Sequence, residues 1–510
     1  MSLTEKVFRR MTSMTAALAA LFVLATCAPG AFAQAAATPQ ATPPPPAAPR
    51  SVSVPKPVER TLKNGLRVIV VERTESPLVT AEMLIKNGGE IDPAPLSGLA
   101  DLTASLLTKG TKTRTAPEIA QAIEALGGTL TSGAGWDASR ASVNVASSRI
   151  SQAMEILADV VRNATFKDEE IERLRQQYLD NLSVTLRQPG SLASLTAARI
   201  VFGDAAYGHP VSGTPESLTR IKRDDIVRLH SQYYRPDNAI LVIGGDIRPD
   251  DAFRLAERLF GDWARPSVPL PAPSADAAKA RAAAASSKTR VVVVDMPEAG
   301  QAAVVLARSG ISRTDPEYFR GIVANSVFGG GYSARLNQEI RIKRGLSYGA
   351  GSQLSVRRDV GPFVASTQTK NESGAEVASL LISELTRLSS EPIADVELTP
   401  RKAVLIGNFG RNLETTDGLV NQIGSLALYG LSLDLINSYI RDVQGVTGAD
   451  VQKFAASRIG AKEANIIIVG NAKMFLEPLR KQFPDVEVIP LAELDLNSAT
   501  LRKTGADAKK

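Results

Sequence analysis

The chain has two histidines, His209 and His230, and one cysteine, Cys27, so the side chains that hold most catalytic zinc ions are nearly absent. An H-E-x-x-H helix, or its inverse H-x-x-E-H, sets two imidazoles four residues apart on one face. Here the two are 21 apart, which excludes both motifs. His209 falls in the turn Tyr207-Gly208-His209-Pro210 and His230 in a helical stretch over 223–234, and both read as structural. Different chemistry is available in Glu339-Ile340-Arg341-Ile342-Lys343-Arg344-Gly345-Leu346-Ser347-Tyr348. Arg341 and Tyr348 stand seven residues apart, and a guanidinium and a phenol are both donors that can orient a peptide carbonyl or stabilise an oxyanion. The same segment also reads as ordinary helix termination, with Lys343 and Arg344 in the last turn and Gly345 as the cap. Gly329-Gly330-Gly331, just upstream, fits neither a P-loop nor a dinucleotide fingerprint. It reads as the C-terminal turn of a helix or as room for a substrate backbone.

The elements that must position these residues come from a repeat. Ile221–Asp246 and Val446–Asn471 correspond at a constant offset of 225: Asp225-Ile226 with Asp450-Val451, Ala239 with Ala464, Gly245 with Gly470. Each is an amphipathic helix followed by a short apolar strand, Ile240–Ile243 or Ile466–Val469. The halves also open alike, with strands at 66–71 and 79–85 in the first and 290–294 and 302–307 in the second. Helices at 95–108 and 316–328 follow. Further helices are expected near 115–126, 149–163, 168–187, 375–390 and 398–413. Strands, then helices, then a helix-strand return give an α+β class: two homologous lobes, each a largely antiparallel sheet packed by helices. Residues 266–288, rich in Pro, Ala and Ser, read as the linker that joins the lobes into a clamshell.

Composition bounds the rest. The chain has 510 residues, 44% apolar and 22% charged, which is ordinary globular composition and enough for several cores. The net charge is +6, and the first 33 residues hold Lys6, Arg9 and Arg10 against Glu5, leaving +4. That is too mild, without a basic run interleaved with aromatics, to imply nucleic acid. Those 33 residues read as an export signal, with a basic start, an apolar run Ala16–Ala25 and Ala31-Phe32-Ala33 before the cut. Periplasm or cell envelope is the expected location. A lipoprotein anchored at Cys27 is the alternative. No later segment reaches the apolar length of a membrane span. Cleavage leaves no cysteine, hence no disulfide and no thiolate site. The remaining divisions are a Pro/Ala-rich linker at 34–54, a first lobe at 55–265, a second at 289–495 and a polar tail at 496–510.

Several local motifs are similar to those of the pitrilysin/insulinase family of zinc peptidases, which includes the mitochondrial processing peptidases. They are Leu62-Lys63-Asn64-Gly65-Leu66-Arg67-Val68, Ser97-Gly98-Leu99-Ala100, Thr108-Lys109-Gly110-Thr111, Ile123-Glu124-Ala125-Leu126-Gly127-Gly128 and Gly208-His209-Pro210. The resemblance spans about residues 55–495. In active members an H-x-x-E-H helix lies between the second and third of these landmarks, and a later Glu completes the zinc site. Carried over by position, the two His fall on Asp101 and Ser105, the general base on Ala104 and the later Glu on Asn181. None matches. Ala104 cannot accept a proton, Ser105 and Asn181 are weak neutral donors, and Asp101 alone does not hold zinc. Arg341 and Tyr348 do match the family's Arg/Tyr pair, which in active relatives faces the zinc across the cleft.

The resemblance therefore implies a non-catalytic subunit. It would bind extended peptide and complete the cleft of a zinc-bearing homologue in a heterodimer. Zinc is expected on that partner and no cofactor on this chain. Metalloendopeptidase activity is expected only in the complex. A peptide-binding or scaffold pseudopeptidase without any part in catalysis is the alternative. Family members add a peptide as a strand to a sheet edge, and the corresponding candidates are Gly128–Gly135 and Gly349–Leu354.

Overall fold

The described residues form two six-stranded sheets, and the apolar runs expected as strands form their centres. The computed structural model describes residues 53–271, 275–285 and 288–503. The expected signal segment, Cys27 and nearly all of the 34–54 linker lie outside those residues. The first sheet holds β1 (Val58–Thr61), β2 (Arg67–Glu72), β3 (Leu78–Ile85), β4 (Thr129–Ala134), β5 (Ser139–Ala146) and β6 (Ala239–Gly245). The second holds β7 (Val291–Asp295), β8 (Ala302–Ser309), β9 (Ala350–Leu354), β10 (Pro362–Thr369), β11 (Asn465–Gly470) and β12 (Val486–Pro490).

Strand order shows the duplication directly. The first sheet runs β1-β2-β6-β3-β5-β4 and the second β12-β7-β11-β8-β10-β9, so β2 to β6 and β7 to β11 follow one topology. Most pairings are antiparallel; β2 with β6, β7 with β11 and β7 with β12 are parallel. The helices Arg223–Tyr233 and Gly448–Arg458 keep the offset of 225 at both ends. The expected α+β class with two homologous lobes holds.

Each sheet buries one face under helices of its own lobe. Val68, Val70, Met83, Val143 and Leu241 pack there against Leu99, Leu102, Leu106, Leu157 and Phe260. The opposite faces are covered crosswise. Leu192, Ala193, Ala197 and Ile200, on the first half's helix Pro189–Phe202, cover Val292, Val294, Val305 and Ile467 of the second sheet. Leu419, Val420 and Ile423, on the second half's helix Thr416–Leu428, cover Ile69, Leu84, Ile240 and Val242 of the first. Both helices carry apolar residues at i, i+3 and i+4, the spacing of a buried stripe. At about 1.5–3 kcal/mol for each buried aliphatic side chain, two such seams join the lobes far more firmly than a linker would.

Three expectations change in detail. The helix expected over 95–108 breaks at Ser97-Gly98 into a 3₁₀ turn at Ala94–Leu96 and a helix at Leu99–Leu106. The Asp92 carboxylate accepts the Gly98 and Ala100 N–H groups at 2.8 and 2.9 Å, which pins the second start. The linker 266–288 contains a helix, Ala275–Ala285, where alanine outweighs the extended bias of the flanking prolines. The polar tail expected from 496 packs through residue 503: Leu501 is fully buried, and the Leu496 carbonyl accepts Arg199 Nε at 3.0 Å. Among the described residues no helix is long and apolar enough to cross a membrane.

Candidate functional site

The helix Leu99–Leu106 turns its apolar stripe, Leu99, Leu102 and Leu106, into the core, with Ala104 buried beside it. Asp101 and Ser105, one turn apart, face the helix Asp168–Thr185. Between them stands the phenol of Tyr178. Its oxygen donates to Asp101 Oδ2 at 3.1 Å, which leaves Ser105 as donor to the phenol at 2.9 Å. Asp101 Oδ1 accepts the Ala134 N–H at 3.2 Å. Burial pushes the Asp101 carboxyl up and the Tyr178 phenol well above its usual range. Asn181 lies exposed, one turn beyond Tyr178, outside this network.

This donor set does not fit zinc. Both Asp101 oxygens already accept hydrogen bonds, Ala104 offers a methyl group, Ser105 is neutral and bonded to a phenol, and Asn181 is elsewhere. A zinc site draws on three or four imidazole, thiolate or carboxylate ligands. Among the described residues no group of three or more His, Cys, Asp or Glu is placed to hold a metal ion.

The second-lobe motif is built differently. The helix Tyr318–Phe328 ends at Gly329, whose N–H bonds the Asn325 carbonyl at 2.9 Å. A β-carbon on Gly329 would lie 2.4 Å from the Ser352 nitrogen, so glycine lets the helix end touch β9. The glycine run thus serves the helix turn. A π-helix, Asn337–Lys343, follows and carries Arg341. Gly345, at φ +65°, closes it by donating to the Arg341 carbonyl at 3.0 Å, the expected cap. Arg341 lies over the Tyr332 ring, 5.0 Å from its centre. Tyr348 is 89% exposed, yet its backbone is held on both sides. Thr369 Oγ1 bonds the Leu346 carbonyl at 2.7 Å and Thr367 Oγ1 the Gly349 carbonyl at 2.8 Å. No hydrogen bond, ion pair or ring contact joins Arg341 or Tyr348 to Asp101, Ala104, Ser105 or Asn181.

Both expected edge strands are outermost. Among the described residues β4 pairs only with β5, and β9 only with β10. Gly135 N–H turns inward to Ala138, so by alternation Leu130, Ser132 and Ala134 point their backbone groups outward. Of these, Ala134 N–H is taken by Asp101. On β9 the outward N–H groups of Ala350 and Ser352 are engaged by Asn337 Oδ1 at 3.3 Å and the Gly329 carbonyl at 3.0 Å. The two edges therefore differ: β9 is covered by its own lobe. Beside β4 lies a cavity of about 540 Å³, lined by Asp101, Thr131, Gly133, Arg140, Asn144 and Asp417 among others. A second hollow near Arg248, Arg254 and Arg258 has each cation paired with Asp251 or Glu155.

The lobes meet at a buried carboxylate that spacing alone did not reveal. Asp137, in the β4–β5 turn, accepts Tyr207 OH at 2.5 Å, Tyr429 OH at 2.9 Å and the Arg358 backbone N–H at 2.7 Å. Arg358 and its neighbour Arg357 lie between β9 and β10 of the other lobe. Arg357 stacks 4.5 Å from both the Trp136 and Tyr207 rings, and burial lowers its guanidinium to about 10. His209 is buried against Trp136, and His230, half-buried, stacks on Tyr234. Tyr178, Asp137 and Arg357 each needed a partner more than 60 positions away, and only the adjoining landmark Gly208-His209-Pro210 hinted at the junction.

Comparison with known proteins agrees with this fold. Residues 67–214 match the model of the insulinase family, peptidase family M16, and residues 220–405 that of the peptidase M16 inactive domain. An uncharacterized zinc protease of Streptomyces coelicolor is 26% identical over 420 residues, 81% of this chain and 89% of that protein. One from Rickettsia bellii is 26% identical over 411 residues, 80% and 96% of the two chains. The crystal structure of a peptidase M16 inactive domain from Pseudomonas fluorescens superposes with a TM-score of 0.74 at 26% identity, over 81% of this chain and 98% of that one. A protease from Helicobacter pylori shares the fold at a TM-score of 0.76 and 20% identity, over 82% and 100%. With a duplicated lobe, the landmark motifs in place and the two domain models laid end to end along it, the chain belongs to peptidase family M16.

Proposed function

We propose that this chain is a non-catalytic subunit of an exported M16-type metallopeptidase. It binds extended peptide and supplies Arg341 and Tyr348 to the cleft of a zinc-bearing homologue. One contrast carries the reading. The metal half of the site is closed by the Tyr178 phenol between Asp101 and Ser105, while the Arg/Tyr half keeps a rigid backbone under an exposed phenol. A ring this exposed adds little burial to the fold and is free to meet a ligand. The chemistry suits a peptide: the guanidinium and phenol are donors for a carbonyl or oxyanion.

The test is co-expression with an H-x-x-E-H homologue from the same genome, followed by turnover of a mixed-sequence fluorogenic peptide. The expected result is a stable complex whose activity exceeds that of the homologue alone. Arg341→Ala with Tyr348→Phe should remove the excess without dissociating the complex. Activity indifferent to this chain sinks the proposal. A single observation supports the alternative, a peptide-binding scaffold: the outward edge of β4 beside a polar cavity can take a strand without a partner. Peptide binding with no effect on any homologue's turnover would favour it. Cell fractionation tests the periplasmic or envelope location, and palmitate labelling tests an anchor at Cys27.

A further inference from the structure

Arg341 and Tyr348 are seven residues apart and share no hydrogen bond or ring contact, so something else fixes their relation. The candidate is Asn337, an amide only 3% exposed, one helical turn before Arg341. Its Nδ2 donates to the Tyr332 carbonyl at 2.6 Å. Its Oδ1 accepts the Ala350 N–H at 3.3 Å. The first bond holds the residue whose ring lies under the Arg341 guanidinium. The second holds the strand residue two positions after Tyr348. A buried amide is costly unless its polar atoms are paired. Here both bonds end on the immediate supports of the two exposed groups. An apolar side chain would fill this helix position at lower cost, so the amide is explained by what it ties together.

We infer that Asn337 is a positioning residue that sets Arg341 and Tyr348 in one fixed relation, with the Tyr332 ring as the platform beneath the guanidinium. The pair is then presented preformed to a peptide, and no reorganisation is needed when it binds. The inference rests on the reading that Arg341 and Tyr348 meet a peptide. It makes Asn337 and Tyr332 determinants of the site, though neither need touch the substrate's reacting atoms.

The experiment uses the full mature chain with fluorine-labelled tyrosine, Tyr332 and Tyr348 signals being assigned with Tyr332→Phe and Tyr348→Phe. Asn337→Leu should shift or broaden both signals and leave those of Tyr178, Tyr233 and Tyr234 in the other lobe unchanged. Asn337→Asp keeps the oxygen facing Ala350 and loses the donor to Tyr332, so it should move the Tyr332 signal alone. This variant also serves if Asn337→Leu does not fold. In complex with the zinc-bearing homologue, Asn337→Leu and Tyr332→Ala should lower kcat for the fluorogenic peptide by about ten- to a hundredfold, with a smaller change in KM. Tyr332→Phe should restore it. If both signals stay in place in the Asn337 variants, the positioning role is wrong whatever the subunit does. If the signals move and turnover does not, positioning stands and the proposed function fails.

Discussion

The phenol of Tyr178 donates to Asp101 Oδ2 at 3.1 Å, and with Ser105 at 2.9 Å it closes the space between the Leu99–Leu106 and Asp168–Thr185 helices. A ring and its hydrogen bonds thus occupy the positions onto which the family resemblance carries the zinc motif. Placing the family's ligands at these positions alone should therefore not create a metal site. Asp101→His, Ala104→Glu, Ser105→His and Asn181→Glu together should bind no stoichiometric zinc at neutral pH, because Tyr178 keeps the two helices' facing groups apart. Adding Tyr178→Ala should allow about one equivalent, read by metal analysis after dialysis. One equivalent without the last change would show that the phenol is no barrier.

In the parent protein the triad contributes stability. Tyr178→Phe leaves Asp101 Oδ2 and Ser105 Oγ half-buried without a partner. The expected loss is about 1–3 kcal/mol, measured by urea unfolding.

Much of this architecture could be read from local pattern, and the reasons differ by residue. Ile240–Ile243 and Ile466–Val469 are apolar runs closed by glycine, so strand and repeat were visible together. Asp101, Ala104, Ser105 and Asn181 were found by position against landmarks. What position could not give was Tyr178, because its meaning depends on the angle between two helices. The covered β9 edge was hidden for the same reason: Asn337 and Gly329 reach it through space, and alternation along Gly349–Leu354 is blind to them. The crosswise packing of Pro189–Phe202 and Thr416–Leu428 was also missed, since an apolar stripe does not say whose sheet it covers.

Asp137 should behave as the fastening of the lobes. Asp137→Ala leaves Tyr207 OH, Tyr429 OH and the Arg358 N–H without their acceptor, and Arg357 without a carboxylate whose charge favours its own. The expected cost is about 3–5 kcal/mol. Tyr207→Phe and Tyr429→Phe should each cost about 1 kcal/mol or somewhat more. Their double variant should depart from additivity, because both donate to one carboxylate. Strict additivity would mean that the two phenols do not share Asp137 in solution.

Stability should also depend on pH through Glu90. Burial raises its carboxyl to about 7, against opposing hydrogen bonds from Arg358, Gly88 and Asn87. The folded state then holds a proton that the unfolded state releases near pH 4. Stability from this group is present below that point and lost as pH rises toward 7. The histidines act in the opposite sense. Burial lowers both to about 4, so folding loses stability as pH falls from about 6.5 through that value. Glu90→Gln isolates the first effect: its stability relative to the parent should rise between pH 5 and pH 8 in denaturant titrations. A difference that stays constant over that range would show that Glu90 does not titrate there.

The outward edge of β4 gives the most direct test of peptide binding. Ser132 lies mid-strand with its backbone N–H directed away from β5, by alternation from Gly135. Proline there removes one outward donor and no ladder bond, so the sheet should tolerate it. Thr131→Pro, one residue earlier, removes a bond to β5 and should destabilise the lobe. A peptide that adds as a strand needs the Ser132 donor, because Ala134 N–H is already held by Asp101. Ser132→Pro should therefore weaken binding of a fluorescent extended peptide about tenfold or more, with unfolding midpoints close to the parent. Asp101→Ala should act the other way: it frees the Ala134 N–H and lets the added strand extend by one more bond. Binding unchanged in both variants would remove strand addition at β4 from the account of how this chain holds peptide.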